Sequence, residues 1–230
     1  MQIEGIVTVE PSQSELAKDL AALMGEAYLE EPYTKAFLEG IRAKEGQDIE
    51  VSTAMKRALI DSGIPAQRVH CTPDGSACMI AYRASEQTRS NMDFENEAVK
   101  AAQESPSLGD KQAPLVFLQN MIMMPIGDFE WYPEVVGEGA DYLHLAHVAV
   151  KKDQQGSGKV GKLVKPLLDY AQANSLPVFL ETYSDDQEAM FKHFGFETIT
   201  VLDSPTTPLK ERCMMYLPDG YVLPVLPEGF

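Results

Sequence analysis

From Val148 to Lys165 the chain reads Val-Ala-Val-Lys-Lys-Asp-Gln-Gln-Gly-Ser-Gly-Lys-Val-Gly-Lys-Leu-Val-Lys, an apolar strand pattern running into a glycine-rich turn and then a helical pattern. Such a sequence can hold an anion. Glycines allow a tight turn whose N–H groups converge, and the positive end of the following helix dipole favours negative charge there. Five of the 19 Lys and Arg residues fall between Lys151 and Lys165, against the single acid Asp153, although the chain as a whole carries a formal net charge of -16. The basic cluster therefore opposes the charge of the rest. Just upstream stand His144 and His147, two of only four histidines, and imidazole is the side chain whose ordinary pKa suits proton transfer near neutral pH. By the alternation of a strand, His144 shares a face with Ala146, Val148 and Val150, and His147 shares the other with Leu143, Leu145 and Ala149, so only one of the two is expected to face a site.

Two phosphate chemistries compete for the loop. Gly156-Ser157-Gly158-Lys159-Val160-Gly161-Lys162-Leu163 comes within one residue of a nucleoside-triphosphate P-loop, but Leu163 stands where a hydroxyl must ligate magnesium. Leu163 also belongs to the stripe Val160, Leu163, Val164, Leu167, Leu168 and Ala171, which reads as the buried face of an amphipathic helix.

The alternative starts one residue earlier. Gln155-Gly156-Ser157-Gly158-Lys159-Val160 resembles the pyrophosphate loop of the GNAT superfamily of acyl-CoA-dependent N-acetyltransferases, with Val160 in place of the usual small last residue. The similarity continues through Pro177 to Thr182 and then Met190-Phe191-Lys192-His193-Phe194-Gly195-Phe196, in the family's order of strand, helix and Gly-Phe ending. It implies an α/β GNAT fold, with a mixed, mostly antiparallel sheet that splays between the strands flanking the loop and helices on both faces. It further implies acetyl-CoA as co-substrate, with Val148 and Val150 pairing the pantetheine and Gln155, Gly156, Ser157, Gly158, Lys159 and Val160 around the pyrophosphate. Gln187 and Phe191 stand where the family has further cofactor contacts. The same resemblance makes His144 the candidate base for an amine acceptor. A tyrosine that protonates the departing thiolate is replaced by Phe191, which leaves Tyr183 as a candidate for that role. Tyr28, Glu30, Glu31 and Tyr33, on paired helices after the first strand, become candidates for binding the acceptor. A non-catalytic acyl-CoA sensor on the same fold is the alternative, prompted by Phe191, and a P-loop nucleotide binder is the third reading.

The elements that would position these residues can be read in outline. Ile6 to Val9 suits a strand; Ser12 with Glu15 has the spacing of a capping box before a helix; Pro32 divides that helix from a second over Tyr33 to Ile41. Arg68 to Cys71 and Ala77 to Tyr82 flank a Pro-Asp-Gly turn and form a hairpin. Residues 84–112 are polar and suit an insertion with a helix around Phe94 to Ala102, while the apolar run at 115–124 is read as helix. Leu143 to Val150 and Val178 to Tyr183 bracket a helix as a parallel crossover, and Glu197 to Leu202 and Cys213 to Leu217 complete the sheet.

With 230 residues and 44% hydrophobic content, the chain is expected to form one domain over 1–230, with an acceptor-side half at 1–112 and a CoA-binding core at 142–217. The acidity argues against nucleic acid as a partner and would draw in a cationic amine. No run of about 20 apolar residues could cross a bilayer and the amino terminus lacks signal-peptide character, so neither membrane association nor export is expected, and the location expected is cytoplasmic. Cys71, Cys78 and Cys213 have no metal-ligand spacing, so no metal is expected. A homodimer is compatible with all of this.

Overall fold

The computed structural model describes residues 1–40, 46–87, 91–106, 131–137, 139–203 and 208–223. The expected helix at 115–124 lies outside them. The described residues form a seven-stranded sheet: β1 (Val7–Thr8), β2 (Val69–Cys71), β3 (Ala77–Arg83), β4 (Leu143–Val150), β5 (Val178–Thr182), β6 (Glu197–Asp203) and β7 (Lys210–Tyr216), in the order β1-β2-β3-β4-β5-β7-β6. Every neighbouring pair is antiparallel except β4 with β5. Helices α1 (Ser14–Tyr28), α2 (Pro32–Gly40), α3 (Asp48–Gly63), α4 (Asn91–Glu104), α5 (Trp131–Val136), α6 (Lys159–Asn174) and α7 (Asp185–His193) accompany it.

Both faces of the sheet are covered because both are apolar. On one, Leu20, Met24, Val51 and Ile60 of α1 and α3 pack with Cys71, Cys78, Ile80 and Ala149. On the other, the expected stripe of α6, from Leu163 to Ala171, packs against Met79, Leu143, Leu145 and Val178. Burial of one such side chain contributes roughly 1.5–3 kcal/mol, so the two layers fix where the ends of β4 and β5 lie.

Local chemistry sets the element boundaries. The β2–β3 turn closes on Gly75, whose φ of 62° is left-handed, while the Asp74 carboxylate accepts from Thr72 Oγ1 at 2.6 Å and Ser76 Oγ at 2.7 Å. Pro32 opens α2 at a position where its missing N–H costs nothing. Glu31 just before it accepts from the N–H groups of Tyr33 and Thr34 at 3.1 and 2.8 Å and so caps the helix. The expected capping box at Ser12 is not formed. Helix α1 begins at Ser14 with Gln13 as its cap residue, and the Gln13 side chain instead accepts from the Glu10 N–H at 2.8 Å.

Helices α1 and α3 lie close together at Gly25, where the Ser52 hydroxyl donates to the glycine carbonyl at 3.0 Å. A Cβ on Gly25 would lie 2.8 Å from the Cα of Thr53, a backbone atom that cannot rotate aside. Gly25→Ala should therefore lower unfolding free energy by roughly 1–3 kcal/mol, the usual cost of overpacking, read as a fall in the denaturant midpoint. An unchanged midpoint would mean that the two helices separate freely.

Candidate active site

Strands β4 and β5 pair only at Leu143 with Val178 and His144 with Phe179, after which they diverge. The Leu143 N–H still reaches the Pro177 carbonyl at 2.9 Å, but beyond it the β5-facing edge of β4 borders a gap. Lys151 N–H bonds to Ser76 on the β3 side, so by alternation the backbone groups of Val148 and Val150 face that gap. Two side chains reach them. Tyr28 Oη accepts from the Val148 N–H at 3.1 Å, and Gln155 Nε2 donates to the Val150 carbonyl at 3.5 Å.

The glycine loop follows a 3-10 turn at Lys152–Gln154, and left-handed φ values of 75° at Gly156 and 79° at Gly158 swing it into α6. No described acceptor meets the N–H of Gly156 or Gly158, and the first turn of α6 adds its own free donors. A Cβ on either glycine would meet open space, which leaves room for a ligand to approach the backbone. Lys159 is tied to Asp74 at 2.5 Å, so the β2–β3 hairpin turn braces the start of α6. The bond from Lys159, followed by those from Ser76 and Thr72, holds the Asp74 carboxyl well below the usual carboxylate range.

These groups border a cavity of about 650 Å³, inside the range of small-molecule sites. Of the residues expected at the cofactor, Val148, Val150, Gln155, Gly156, Gly158, Lys159, Val160 and Gln187 line it. Ser157 does not; its hydroxyl donates to the Gln154 carbonyl at 2.5 Å. Phe191 is 7% exposed and packs edge-on against Phe196 in the core, while its neighbours Met190 and Phe194 reach the cavity. Of the residues expected at the acceptor, Tyr28 and Glu31 line the same cavity. Glu30 is turned away into an ion pair with Lys35 at 2.5 Å on the surface. Tyr33 packs against Tyr183 with its ring tilted by 37° and the centroids 5.2 Å apart.

The two histidines are not on opposite faces. The β3–β4 register pairs Ile80 with His147 and Ala81 with Leu145, so Ala146 is an extra residue in β4. The bulge reverses the alternation. His144 and His147 consequently share the face of Ile80 and Tyr82, whereas Val148 and Val150 lie on the α6 face with Leu143 and Leu145. His144 is 1% exposed and enclosed: Tyr82 Oη lies 2.7 Å from Nδ1, and Glu181 Oε2 and Tyr132 Oη lie 2.8 and 3.1 Å from Nε2. Burial holds its pKa far below the ordinary value, with the positive charges of His147 and Arg68 acting in the same direction. A neutral ring with its proton on Nε2 satisfies the set, donating to Glu181 and accepting from Tyr82. Arg68 lies over the Tyr82 ring at 3.9 Å and fixes it in turn.

A second group lies on this face at the end of β5. Tyr183 Oη donates at 3.3 Å to Glu211 Oε1 on β7. Burial raises the Tyr183 pKa well above that of a free phenol, and Glu211, Tyr33, Glu181 and Glu31 add to it. Glu211 is 2% exposed; burial raises its carboxyl to about 7 against the opposing bond from Tyr183. Glu181 and Glu211 were missed in the sequence because acids in short strands read as solvent-facing. The one available signal was Glu181 directly after the apolar run Val178 to Leu180.

Comparison with solved structures matches this arrangement over nearly the whole chain. A histone acetyltransferase HPA2-related acetyltransferase from Corynebacterium glutamicum superposes with a TM-score of 0.55 at 14% identity, covering 97% of this chain and 99% of that one. The fold is that of the GNAT acetyltransferases. Two further structures with this GNAT fold are arylalkylamine N-acetyltransferase 2 from Aedes aegypti, with a TM-score of 0.54 at 11% identity over 92% of this chain and 97% of that one, and a Drosophila melanogaster polyamine N-acetyltransferase, at 0.52 and 15% over 92% and 98%. Among curated sequences, an uncharacterised N-acetyltransferase of Schizosaccharomyces pombe is 32% identical over 64 residues, which is 27% of this chain. The match spans about a quarter, 26%, of that relative. No family model matches the sequence.

The environment of Glu211 makes a prediction about stability. A carboxyl raised from 4.5 to about 7 costs roughly 3 kcal/mol once ionised in the folded state. The sign follows from which state loses its proton first. Below pH 4.5 both states are protonated and the cost is absent; it accrues as pH rises towards 7 and is complete above. Relative to Glu211→Gln, the wild-type protein should thus lose stability between pH 4.5 and 7, measured by denaturant unfolding. Parallel pH curves for the two proteins would show an ordinary, hydrated carboxyl.

Proposed function

We propose that this chain is an acetyl-CoA-dependent N-acetyltransferase that transfers the acetyl group to an amine by direct attack in a ternary complex. The observation that carries the reading is the meeting, in one cavity, of the edge of β4 that β5 leaves unpaired with the glycine loop at the start of α6. A strand edge can pair an amide-containing arm, and converging N–H groups at a helix start can hold a diphosphate without metal. Acetyl-CoA, when bound, supplies an acetyl group already activated as a thioester.

The chain's own residues divide the remaining work. The donors of Gly156, Gly158 and the first turn of α6 bind the pyrophosphate, with Lys159 and Lys165 adding positive charge. The backbone of Val148 and Val150 orients the pantetheine, and Gln187, whose carbonyl accepts from Thr182 at 2.5 Å, offers its amide to the same cavity. Tyr28, Glu31 and Tyr33 form the acceptor side. In this reading His144 is a positioning residue, because both ring nitrogens are engaged; it holds Tyr82 and Glu181 in place. Tyr183 keeps its proton throughout the physiological range and serves as a hydroxyl donor beside the gap. The thiolate can leave without it, a thiol of pKa about 8.5 being a fair leaving group.

Calorimetry with acetyl-CoA in metal-free buffer tests the reading, with micromolar-range binding expected. Gly158→Val should weaken that binding at least about tenfold in a folded protein, since its φ of 79° is strained for a β-branched residue whose methyls would also obstruct the phosphate. Binding of magnesium ATP in place of acetyl-CoA would overturn the assignment. Binding without thiol release against any amine would favour a sensor, the alternative that Phe191 in the core raises.

A further inference from the structure

The two backbone groups that β4 turns towards the gap are held unequally. Gln155 Nε2 reaches the Val150 carbonyl at 3.5 Å, the outer limit of a hydrogen bond, whereas Tyr28 Oη accepts from the Val148 N–H at 3.1 Å, an ordinary length. Tyr28 is the last residue of α1 and half-buried, and it lines the cavity together with Val148, Val150 and Glu31. Its hydroxyl also lies 3.3 Å from His147 Nδ1, the imidazole meets the phenol edge-on at 5.4 Å, and the Lys56 ammonium sits 4.0 Å over the ring from α3. The phenol is therefore positioned from three sides, by β4, by His147 and by α3.

A strand edge that pairs an amide-containing arm needs the same backbone groups. A carbonyl of such an arm would accept from the Val148 N–H, and an N–H makes one good hydrogen bond at a time. The phenol oxygen and the carbonyl are thus rivals for a single donor. Strand β3 offers Val148 no alternative: the bond from Lys151 to Ser76 and the register of Ala149 with Cys78 give the Ala149 N–H to β3 and turn that of Val148 to the gap.

We propose that Tyr28 is a displaceable stand-in for the cofactor arm: its hydroxyl holds the Val148 N–H, yields it to a carbonyl of the arriving arm, and reclaims it as the product leaves. This rests on the acetyl-CoA reading, because acetyl-CoA supplies the arm. The exchange replaces one hydrogen bond by another of the same kind, so the arm gains little from this donor and is held loosely at the end away from the glycine loop. Removing the hydroxyl leaves the N–H to water, a weaker rival, and the arm then binds more tightly. A tyrosine that served by contacting the bound arm would give the opposite sign.

Amide hydrogen exchange and calorimetry on the full chain test this. In Tyr28→Phe the Val148 amide should exchange at least about tenfold faster than in the wild-type protein, while the Ala149 amide keeps its rate. Tyr28→Phe should bind acetyl-CoA about three- to tenfold more tightly, the usual net worth of one hydrogen bond, and should bind 3′-phospho-ADP, the same nucleotide without the arm, with unchanged affinity. A gain shared by CoA identifies an amide carbonyl as the group that displaces the phenol; a gain confined to acetyl-CoA identifies the thioester carbonyl. Weaker or equal acetyl-CoA binding in Tyr28→Phe, a gain that extends to 3′-phospho-ADP, or an unchanged Val148 exchange rate overturns the role of Tyr28 and leaves the acetyl-CoA reading standing. If acetyl-CoA binds neither protein, that reading falls and takes this one with it.

Discussion

The arrangement depends on one constraint: two parallel strands that pair at two residues and then part. A strand edge inside a protein cannot leave its N–H and carbonyl groups bare, because each unpaired group costs about as much as a lost hydrogen bond. The edge of β4 is therefore served by side chains from elsewhere, Tyr28 from the end of α1 and Gln155 from the loop. What holds the strands apart is packing. Helix α6 is clamped to one face by Leu163 to Ala171, and α1 with α3 to the other, so closing the gap would require both layers to shift.

The gap also separates two electrostatic regimes within a short distance. On the loop side, backbone donors, a helix start and Lys159 and Lys165 favour anions; on the other, Glu31, Glu181 and Glu211 gather beside two tyrosines. The strongly negative chain gathers five of its 19 Lys and Arg residues between Lys151 and Lys165, on the loop side. In the proposed reaction, a donor carrying diphosphate and an acceptor carrying ammonium would be sorted by charge before either is recognised in detail.

Much of this was legible in the residues. The glycine loop, the stripe of α6, the Pro-Asp-Gly hairpin and the β4–α6–β5 crossover rest on local rules, and local rules survive folding. The helix within the polar insertion is present as α4, Asn91–Glu104. What escaped was set by long-range pairing. Helix α3 went unassigned because the buried face of Val51, Met55, Leu59 and Ile60 is broken up by Lys56, which is itself buried with its ammonium over the Tyr28 ring at 4.0 Å. Glu211 acquires its character from Tyr183, 28 residues away in sequence. The reversal at Ala146 depends on register with β3, which no periodicity within β4 could reveal.

That single inserted residue makes β4 behave as two strands joined end to end. Ahead of Ala146 and behind it, the choice of which side chains face which layer is made independently. The stretch from Val148 to Val150 can satisfy the packing demands of α6 while His144 and His147 serve the opposite layer. Change on one side of the joint leaves the other side's partners untouched. A strand of uniform alternation would have forced the two faces to vary together, whereas this one lets the layer of His144 and His147 diversify over an unaltered α6 layer.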